Sequence, residues 1–357
     1  MRSICLLVLI FGVLFFFGNC KPAGKPDGNS KQTEDAKFTV QEAKIEKEIE
    51  FWSVKAPKGS FVRDPFFAAG GWYPAPPEGL LRSVRKYITE AQVEKIEDDI
   101  VGILAPHAGY VYSGAVAGCA YKPLLGKSYD VVVILSANHT GAPTSVGRFD
   151  FFRMPFGDVP VVERGDLALF VKEAGISDDP AAHIEEHAIE LQLPFLCATL
   201  KEFRILPIVV GHWIREEKEK CDRLVNALAN FVKGKKFLIV VSSDLSHRPP
   251  YELASAADRE FLEALKTLDV DKLLEADKTI LSDEWAQKHG VKREEIEFSC
   301  TACGLDALVV ALKLFNKLGV SGYKLLKYAN SHDTANGDRK EVVGYAAAVF
   351  FRPEKPR

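Results

Sequence analysis

The segment VVILSANHTG, residues 132–141, places an amide and an imidazole directly after a run of apolar residues. A continuous apolar run is typical of a strand that is buried on both faces, so its polar end needs an explanation. Three other apolar runs also end within a few residues of a histidine: VGILAPHAGY (101–110), ILPIVVGH (205–212) and FLIVVSSDLSH (237–247). Because the whole chain holds only 8 histidines, this repetition indicates a shared structural cause.

The apolar runs alternate with helical patterns over most of the chain. Strands rich in Val, Ile and Leu are predicted at 100–105, 131–136, 205–210, 237–242 and 342–351. Helices are predicted near 113–122, 165–174, 186–200, 216–233, 251–266 and 301–317, with a charged helical excursion on the surface at 267–298. This order favours the α/β class, with a largely parallel or mixed central sheet and helices on both faces.

This architecture explains the polar strand ends. In open α/β sheets, ligands bind in the crevice beyond the carboxyl ends of the strands. Side chains that follow neighbouring strands therefore meet at one edge of the sheet. We expect the following residues to converge there: His107, His139, His212, Asp244 and His247.

The first fifty residues differ from the rest of the chain. Residues 1–20 contain Arg2, the apolar stretch ICLLVLIFGVLFFF and small residues before Cys20, which resembles a bacterial lipoprotein signal peptide. An ordinary cleaved signal or an uncleaved anchor is the alternative. Residues 21–50 include KPAGKPDGNSKQTEDAK and are predicted to form a flexible tether, which leaves 51–357 as the folded domain. We therefore expect a cell-envelope protein held at a membrane by lipid on Cys20, with a secreted or periplasmic protein as the alternative.

Composition and cysteine spacing exclude several classes of protein. The net charge of −3 and the absence of a long basic run argue against a nucleic-acid partner. Outside the leader the cysteines are odd in number, which does not suit a disulfide framework. Cys300 and Cys303 have C-x-x-C spacing, but no second such pair exists, so a structural four-cysteine zinc site is excluded.

Seven motifs follow one another in the order found in the Memo-like family, which includes the AmmeMemoRadiSam system protein B type. They are FVRDPFFAAGGWYP (61–74), LAPHAGYVYSG (104–114), SANH (136–139), EEHAIELQLPFL (185–196), PIVVGH (207–212), SSDLSH (242–247) and TACG (301–304). The chain thus resembles this family over about residues 61–351. The resemblance implies a three-layer fold like that of the LigB-type class III extradiol dioxygenases, which hold a mononuclear non-haem iron.

The resemblance also implies a metal site. Members of the family hold a redox metal through two histidines and a cysteine, and the matching positions are His107, His139 and Cys303. The expected cofactor is therefore iron (Fe²⁺) or copper, with zinc less favoured. Cys303 is predicted at the start of a helix, where the helix N-terminus favours the thiolate by lowering the thiol pKa.

Three further residues match the pocket of the family and are candidate catalytic residues: His187, Asp244 and His247. The spacing of Asp244 and His247 places them on one face of a helical turn. They are either a base with its orienting carboxylate, a pair of metal ligands, or an Asp N-cap beside an uninvolved histidine. Glu190 and Gln192, which follow His187, are expected to face solvent or to cap neighbouring segments.

Two functions from different classes fit these features. The first is a metal-dependent oxidoreductase of the dioxygenase type with an unknown substrate. The second is a non-catalytic module that binds a peptide or a small ligand in the same pocket. Aromatic side chains either stack on such a ligand or pack in the core: Trp72, Tyr73, Tyr110 and Tyr112. The resemblance also implies a functional link to a radical-SAM protein and an AMMECR-type protein, since genes of the family often neighbour theirs.

Overall fold

The apolar runs form the centre of a seven-stranded sheet in the computed structural model, which describes residues 49–68, 70–212 and 214–353. The strands in chain order are β1 (Val62–Arg63), β2 (Asp99–Ala105), β3 (Val131–Ser136), β4 (Ser145–Val146), β5 (Phe151–Met154), β6 (Gly157–Pro160), β7 (Arg204–Val209), β8 (Phe237–Ser242), β9 (Gly322–Asn330) and β10 (Gly344–Arg352). The strand order of the large sheet is β4-β7-β3-β8-β2-β10-β9, and a second sheet has the order β1-β5-β6.

Helices flank the central sheet and give a three-layer α/β fold. They are α1 (Pro77–Glu90), α2 (Tyr110–Tyr121), α3 (Arg164–Ala174), α4 (Ala181–Ile184), α5 (His187–Glu190), α6 (Leu193–Thr199), α7 (Lys218–Val232), α8 (Tyr251–Lys266), α9 (Val270–Ile280), α10 (Asp283–Lys288), α11 (Leu305–Lys317) and α12 (Ser331–Ala335). Helix α11 packs on the sheet at a position that requires a glycine. A Cβ on Gly102 of β2 would lie 2.4 Å from Cζ of Phe315 on α11. The absence of a side chain at this position therefore allows α11 to pack closely on the sheet.

The predicted fold class is confirmed, and the sheet is mixed. Strands β7, β3, β8 and β2 are parallel, whereas β10 is antiparallel to both β2 and β9, and β4 is antiparallel to β7. The five predicted strands are present with boundaries that differ by two residues at most. The predicted excursion at 267–298 contains α9 and α10.

Several elements differ from the prediction, and the short elements β1, β4, β5, β6, α4 and α12 were not predicted. The expected helix at 186–200 is divided into α5 and α6, because Pro194 in the first turn of α6 has no amide hydrogen to continue the helical ladder. Strand β9 was not predicted, since its residues alternate between partly buried and exposed and form no continuous apolar run. Helix α1 was also missed, although Leu80, Val84 and Ile88 repeat at intervals of four and are fully buried.

The register of the parallel strands brings their carboxyl ends together. Ser242 at the end of β8 pairs with Ala105 at the end of β2 on one side and with Ser136 at the end of β3 on the other. His107 and His139 follow these ends by two and three residues. The predicted meeting point therefore lies beyond the middle of the sheet.

The predicted signal peptide and most of the predicted tether lie outside the described residues. Ile49, the first described residue, is 1% exposed, and its carbonyl accepts a hydrogen bond from Arg85 on α1. Within the described part of the chain, no helix combines the length and apolar composition that a membrane span requires.

Candidate metal centre

Hydrogen bonds determine which nitrogen of His107 is free. Its Nδ1 lies 2.8 Å from the hydroxyl oxygen of Ser242 at the end of β8. That hydroxyl donates its hydrogen to the carbonyl of Ala188 at 2.7 Å and accepts a hydrogen bond from Nε2 of Gln192 at 2.8 Å. Because the hydroxyl hydrogen is already used, Nδ1 of His107 must be the donor to Ser242. Nε2 of His107 is therefore the nitrogen with a lone pair, and it lies 3.2 Å from Sγ of Cys303.

Glu186 fixes His139 in the same way. Its carboxylate accepts hydrogen bonds from the His139 amide at 2.7 Å and from Nδ1 of the His139 ring at 3.0 Å. It also caps α5 by accepting a hydrogen bond from the Ala188 amide at 2.8 Å. A carboxylate that accepts a hydrogen bond from Nδ1 leaves the Nε2 lone pair of a histidine available, as in many carboxylate–histidine–metal arrangements.

Cys303 lies directly before Gly304, the N-cap of α11, as expected for a residue at a helix start. Its Sγ accepts a hydrogen bond from the Asp244 amide at 3.3 Å and lies 3.8 Å from the Ser243 hydroxyl. The Cys303 amide in turn donates to the Asp244 carbonyl at 3.3 Å. These contacts attach the start of α11 to the segment after β8 and hold the thiol beside His107.

The possible ligand atoms of His107, His139 and Cys303 all lie within 4.8 Å of one another. In a tetrahedral site with nitrogen and sulfur ligands, neighbouring ligand atoms are roughly 3.5 Å apart, so the 3.2 Å between Nε2 of His107 and Sγ of Cys303 suits a shared metal. A second group of three possible metal ligands consists of His139, Glu186 and His187. Since the carboxylate of Glu186 already accepts three hydrogen bonds, we regard it as the residue that orients His139.

Burial changes the pKa values of the candidate ligands and of His187. Burial, together with the nearby imidazoles of His139, His187 and His247, lowers the pKa of His107 well below its usual value. Burial also lowers the pKa of His187 to about 3. The pKa of the Cys303 thiol is raised well above its usual value by burial and by Asp244. This direction is opposite to the one expected from the helix N-terminus, and its largest cause is desolvation by burial.

Asp244 and His247 lie in a segment after β8 that has no helical turn, and His247 forms an isolated bridge with Val343, so the two side chains do not share a helical face. Oδ1 of Asp244 accepts a hydrogen bond from the His107 amide at 2.8 Å, and burial raises the pKa of this carboxyl to about 6. Its Oδ2 lies 4.0 Å from Nε2 of His247, which is too long for a hydrogen bond. Nε2 of His247 is buried and has no hydrogen-bond partner among the described residues.

A buried carboxylate supports the segment that contains His247. Asp258 on α8 accepts hydrogen bonds from the Ser246 amide at 3.0 Å and from the Tyr328 hydroxyl at 2.8 Å. Burial raises the pKa of Asp258 to about 7. The carboxylate thus links the segment after β8 to the edge strand β9.

A cleft of about 680 Å³ opens next to these side chains. His139, His187, Asp244 and His247 line it together with Trp72 and Tyr112. The Trp72 ring lies 4.4 Å from the His187 ring, and the His187 ring lies 4.2 Å from the His139 ring, measured between centroids. Tyr73 and Tyr110 are instead buried, with 2% and 4% exposure, so these two aromatic residues pack in the core.

Glu190 is the centre of a buried network behind the cleft. Its carboxylate pairs with Arg63 and accepts hydrogen bonds from the Tyr73 hydroxyl and from the amides of Phe66 and Phe67. The guanidinium of Arg63 also donates to three carbonyls of the segment before α5, those of His183, Ile184 and Glu186. Of the two expectations for Glu190 and Gln192, exposure to solvent was wrong, since both are buried, whereas Glu190 does accept hydrogen bonds from the amides of a neighbouring segment.

The structure does not bring every strand-end histidine to the site. His212 is an exposed turn residue and belongs to neither group of possible metal ligands found among the described residues. Conversely, Glu186, Ser242 and Gln192 were not predicted as hydrogen-bond partners around the two imidazoles. Glu is not among the residues that usually mark an N-cap, so the sequence did not indicate that Glu186 caps α5. Nothing local indicated the pairing of Ser242 with His107 either.

The fold and the site together define a three-layer α/β protein with two histidines and a cysteine converging at the carboxyl edge of its sheet. Residues 63–349 match the family of Memo-like proteins. The chain is 34% identical over 286 residues to a MEMO1 family protein of Methanosarcina barkeri, which covers 79% of this chain and 97% of the relative. It is 35% identical over 297 residues to a MEMO1 family protein of Desulfurococcus amylolyticus, with 79% and 97% covered. The chain therefore belongs to the Memo-like family.

Proposed function

We propose that the chain binds one redox-active transition metal, iron (Fe²⁺) or copper, through His107, His139 and Cys303. The observation that supports this proposal is the orientation of the donors, because hydrogen bonds leave the Nε2 lone pairs of both imidazoles available close to a thiol. Imidazole and thiolate ligands suit iron, copper and zinc far better than magnesium or calcium. We place zinc last, since the motif resemblance implies a redox metal.

Metal analysis of anaerobically purified protein tests the proposal. We expect about one metal ion per chain in the wild type and a large loss in His107→Ala, His139→Ala and Cys303→Ala. His212→Ala is the matched control, because His212 is exposed and lies outside the group. Equal metal content in all five proteins would exclude the assignment.

For the reaction, we propose a metal-dependent oxidation of the dioxygenase type that acts on a phenolic small molecule. A bound iron or copper ion would supply Lewis acidity and one-electron chemistry at the inner end of the cleft. Trp72 and His187 form an aromatic wall that can hold a ring. Nε2 of His247 is a buried nitrogen with no hydrogen-bond partner in the described part of the chain, which suits a base that accepts the proton of a phenolic hydroxyl. Asp244 positions the backbone of His107.

The second candidate function is a non-catalytic module that binds a peptide or small ligand in the same cleft. One feature favours it: Cys303 supplies a thiol where LigB-type dioxygenases use a carboxylate, which changes the electronic properties of a bound metal. The variant His247→Gln separates the two functions. If the site is catalytic, the variant should retain its metal and lose turnover on the order of 10²-fold. If the site only binds, the variant should change affinity alone.

We also propose that the protein acts together with a radical-SAM protein and an AMMECR-type protein, as the motif resemblance implies. A further proposal is that lipid on Cys20 holds the protein in the cell envelope. The proposal for the envelope rests on the sequence of residues 1–20. Produced in a bacterium that processes lipoproteins, the wild type should partition into detergent, and Cys20→Ser should become soluble or remain unprocessed. An unmodified N-terminus elsewhere, found by mass spectrometry, would contradict the lipid anchor and leave a secreted or periplasmic protein.

A further inference from the structure

We propose that the cleft beside the candidate metal centre selects phenolic ligands with a positively charged amino group and rejects ligands with a carboxylate or phosphate group. The phenolic part of this inference rests on the proposed function. The charge preference rests on the lining of the cleft alone, so the two can be tested separately.

The charged residues that line the cleft are acidic. Asp244, Asp338 and Glu341 are among the lining residues, and no lysine or arginine is present among those that the structure describes. Arg339 and Lys340 lie between Asp338 and Glu341 in the chain, but neither is one of the lining residues. A ligand that brings its own anionic group into the cleft therefore meets carboxylates and finds no cationic side chain in the described lining.

The acidic groups differ in depth. Asp244 is 3% exposed and lies at the inner end beside the candidate metal centre, where it holds the His107 amide. Asp338 and Glu341 are exposed and form the rim. A ligand whose hydroxyl groups reach the inner end would therefore place its other end beside the two rim carboxylates.

The rim remains negative after its ion pairs are counted. Glu341 pairs with Arg248 at 3.0 Å, but Arg248 also pairs with Glu297 at 2.6 Å, so one cation is shared by two carboxylates. The carboxylate of Asp338 accepts a hydrogen bond from the Lys340 amide at 2.9 Å, which does not neutralise its charge. Arg339 pairs with Glu252, which leaves Lys340 and Arg248 as the cations beside the carboxylates of Asp338, Glu341 and Glu297. The carboxylates outnumber the cations, so the rim keeps a net negative charge that attracts an ammonium group and repels an anion.

Between the rim and the inner end, the cleft presents apolar and aromatic surface. Val111 is 65% exposed and Tyr112 is 45% exposed, and both line the cleft near Trp72. Large apolar side chains with this exposure at the mouth of a cleft are typical of a ligand-binding surface. An aromatic ring would cover them, and the face of Tyr112 would add a favourable contact with an ammonium group.

Three catechols of similar size and different charge test the inference: dopamine is cationic, dihydrocaffeate is anionic and ethylcatechol is neutral. Their affinities for metal-free and iron-loaded protein are measured without oxygen by calorimetry. We expect dopamine to bind about tenfold more tightly than dihydrocaffeate, because each exposed charge contact is worth only a few-fold in affinity. Ethylcatechol should lie between them.

Variants locate the source of the preference. In Asp338→Asn/Glu341→Gln, the ratio of the dopamine and dihydrocaffeate affinities should fall to about twofold, whereas Glu275→Gln, an exposed position on α9, should leave the ratio unchanged. Asp338→Lys/Glu341→Lys, which reverses the charge of both rim positions, should favour dihydrocaffeate. Thermal unfolding of each variant checks that the fold is intact.

The outcomes separate this inference from the proposed metal centre. Equal affinities, a preference for dihydrocaffeate, or no binding of any catechol to either form of the protein would overturn the charge preference. A preference that persists in the double variant would overturn its assignment to the rim. If the preference holds in protein that takes up no metal, the proposed metal centre is wrong and the charge preference stands.

Discussion

Removal of the Glu190 carboxylate should destabilise the protein more than removal of any exposed ion pair. Glu190 and Arg63 have side-chain exposures of 0% and 2%, so neither can exchange its partner for bulk water. The variant Glu190→Ala would leave the guanidinium of Arg63 buried without its carboxylate. It would also deprive the Tyr73 hydroxyl and the amides of Phe66 and Phe67 of their acceptor.

The magnitude follows from these contacts. Breaking a buried ion pair by removing one partner costs about 3 to 5 kcal/mol, because a buried charge remains uncompensated. Arg63 keeps three carbonyl acceptors in the segment before α5, which places the expected loss of unfolding free energy at about 3 to 4 kcal/mol. Domains are typically stable by about 5 to 15 kcal/mol, so the variant should fold but unfold at clearly lower urea concentration.

Urea unfolding followed by circular dichroism measures this loss. The matched control is Glu163→Ala, since Glu163 pairs with Arg204 at side-chain exposures of 69% and 44% and should contribute less than about 1 kcal/mol. The double variant Arg63→Met/Glu190→Leu should recover part of the stability, because it removes both buried charges. If Glu190→Ala loses no more than the control, the network does not stabilise the fold in the way we infer.

Three further predictions concern other parts of the molecule. Glu186→Gln should weaken metal binding roughly 10- to 100-fold in a chelator competition while the protein stays folded, and unchanged affinity would exclude Glu186 as the residue that orients the imidazole. Asp258 has a folded pKa of about 7 and an ordinary pKa near 4 when unfolded, so its contribution to unfolding free energy falls as pH rises from about 4 to about 7. In urea unfolding at pH 5 and pH 8, Asp258→Asn should show a smaller change of unfolding free energy with pH than the wild type. An equal change in both proteins would contradict the raised pKa of Asp258. Gly102→Ala should lower the unfolding free energy by about 1 to 3 kcal/mol, because the new methyl group clashes with Phe315. Gly165→Ala is the control, since open space surrounds Gly165. Equal stability of the two variants in urea would contradict this packing.

The centre of the fold was predictable because its signal is local. Strands β2, β3, β7 and β8 each contain a run of five or six residues without a charged or polar side chain, and burial on both faces of a parallel sheet requires that pattern. Strand β9 lies at the edge of the sheet and has exposed and partly buried residues in turn. Its position depends on pairing with β10, which is not visible in the strand itself.

The candidate site was predictable only in part. The strand ends and the motif resemblance indicated His107, His139 and Cys303, and the register of β2, β3 and β8 explains why the two histidines are neighbours. The network of Glu190 was not predictable, because Arg63 lies 127 residues away and the pairing depends on the folded chain. The hydrogen bond between Ser242 and His107 was not predictable either, because it depends on the partners that the folded chain places around the Ser242 hydroxyl.

The spacing of the donors along the chain affects when a metal can be acquired. His107 and Cys303 are 196 residues apart, and closing a loop of that length requires that β2, β8 and the start of α11 have already assembled. A nascent or unfolded chain therefore cannot present His107, His139 and Cys303 together to a metal in the compartment of its synthesis. If the proposed leader directs export in an unfolded state, the identity of the bound metal is decided by the ions available where the chain folds.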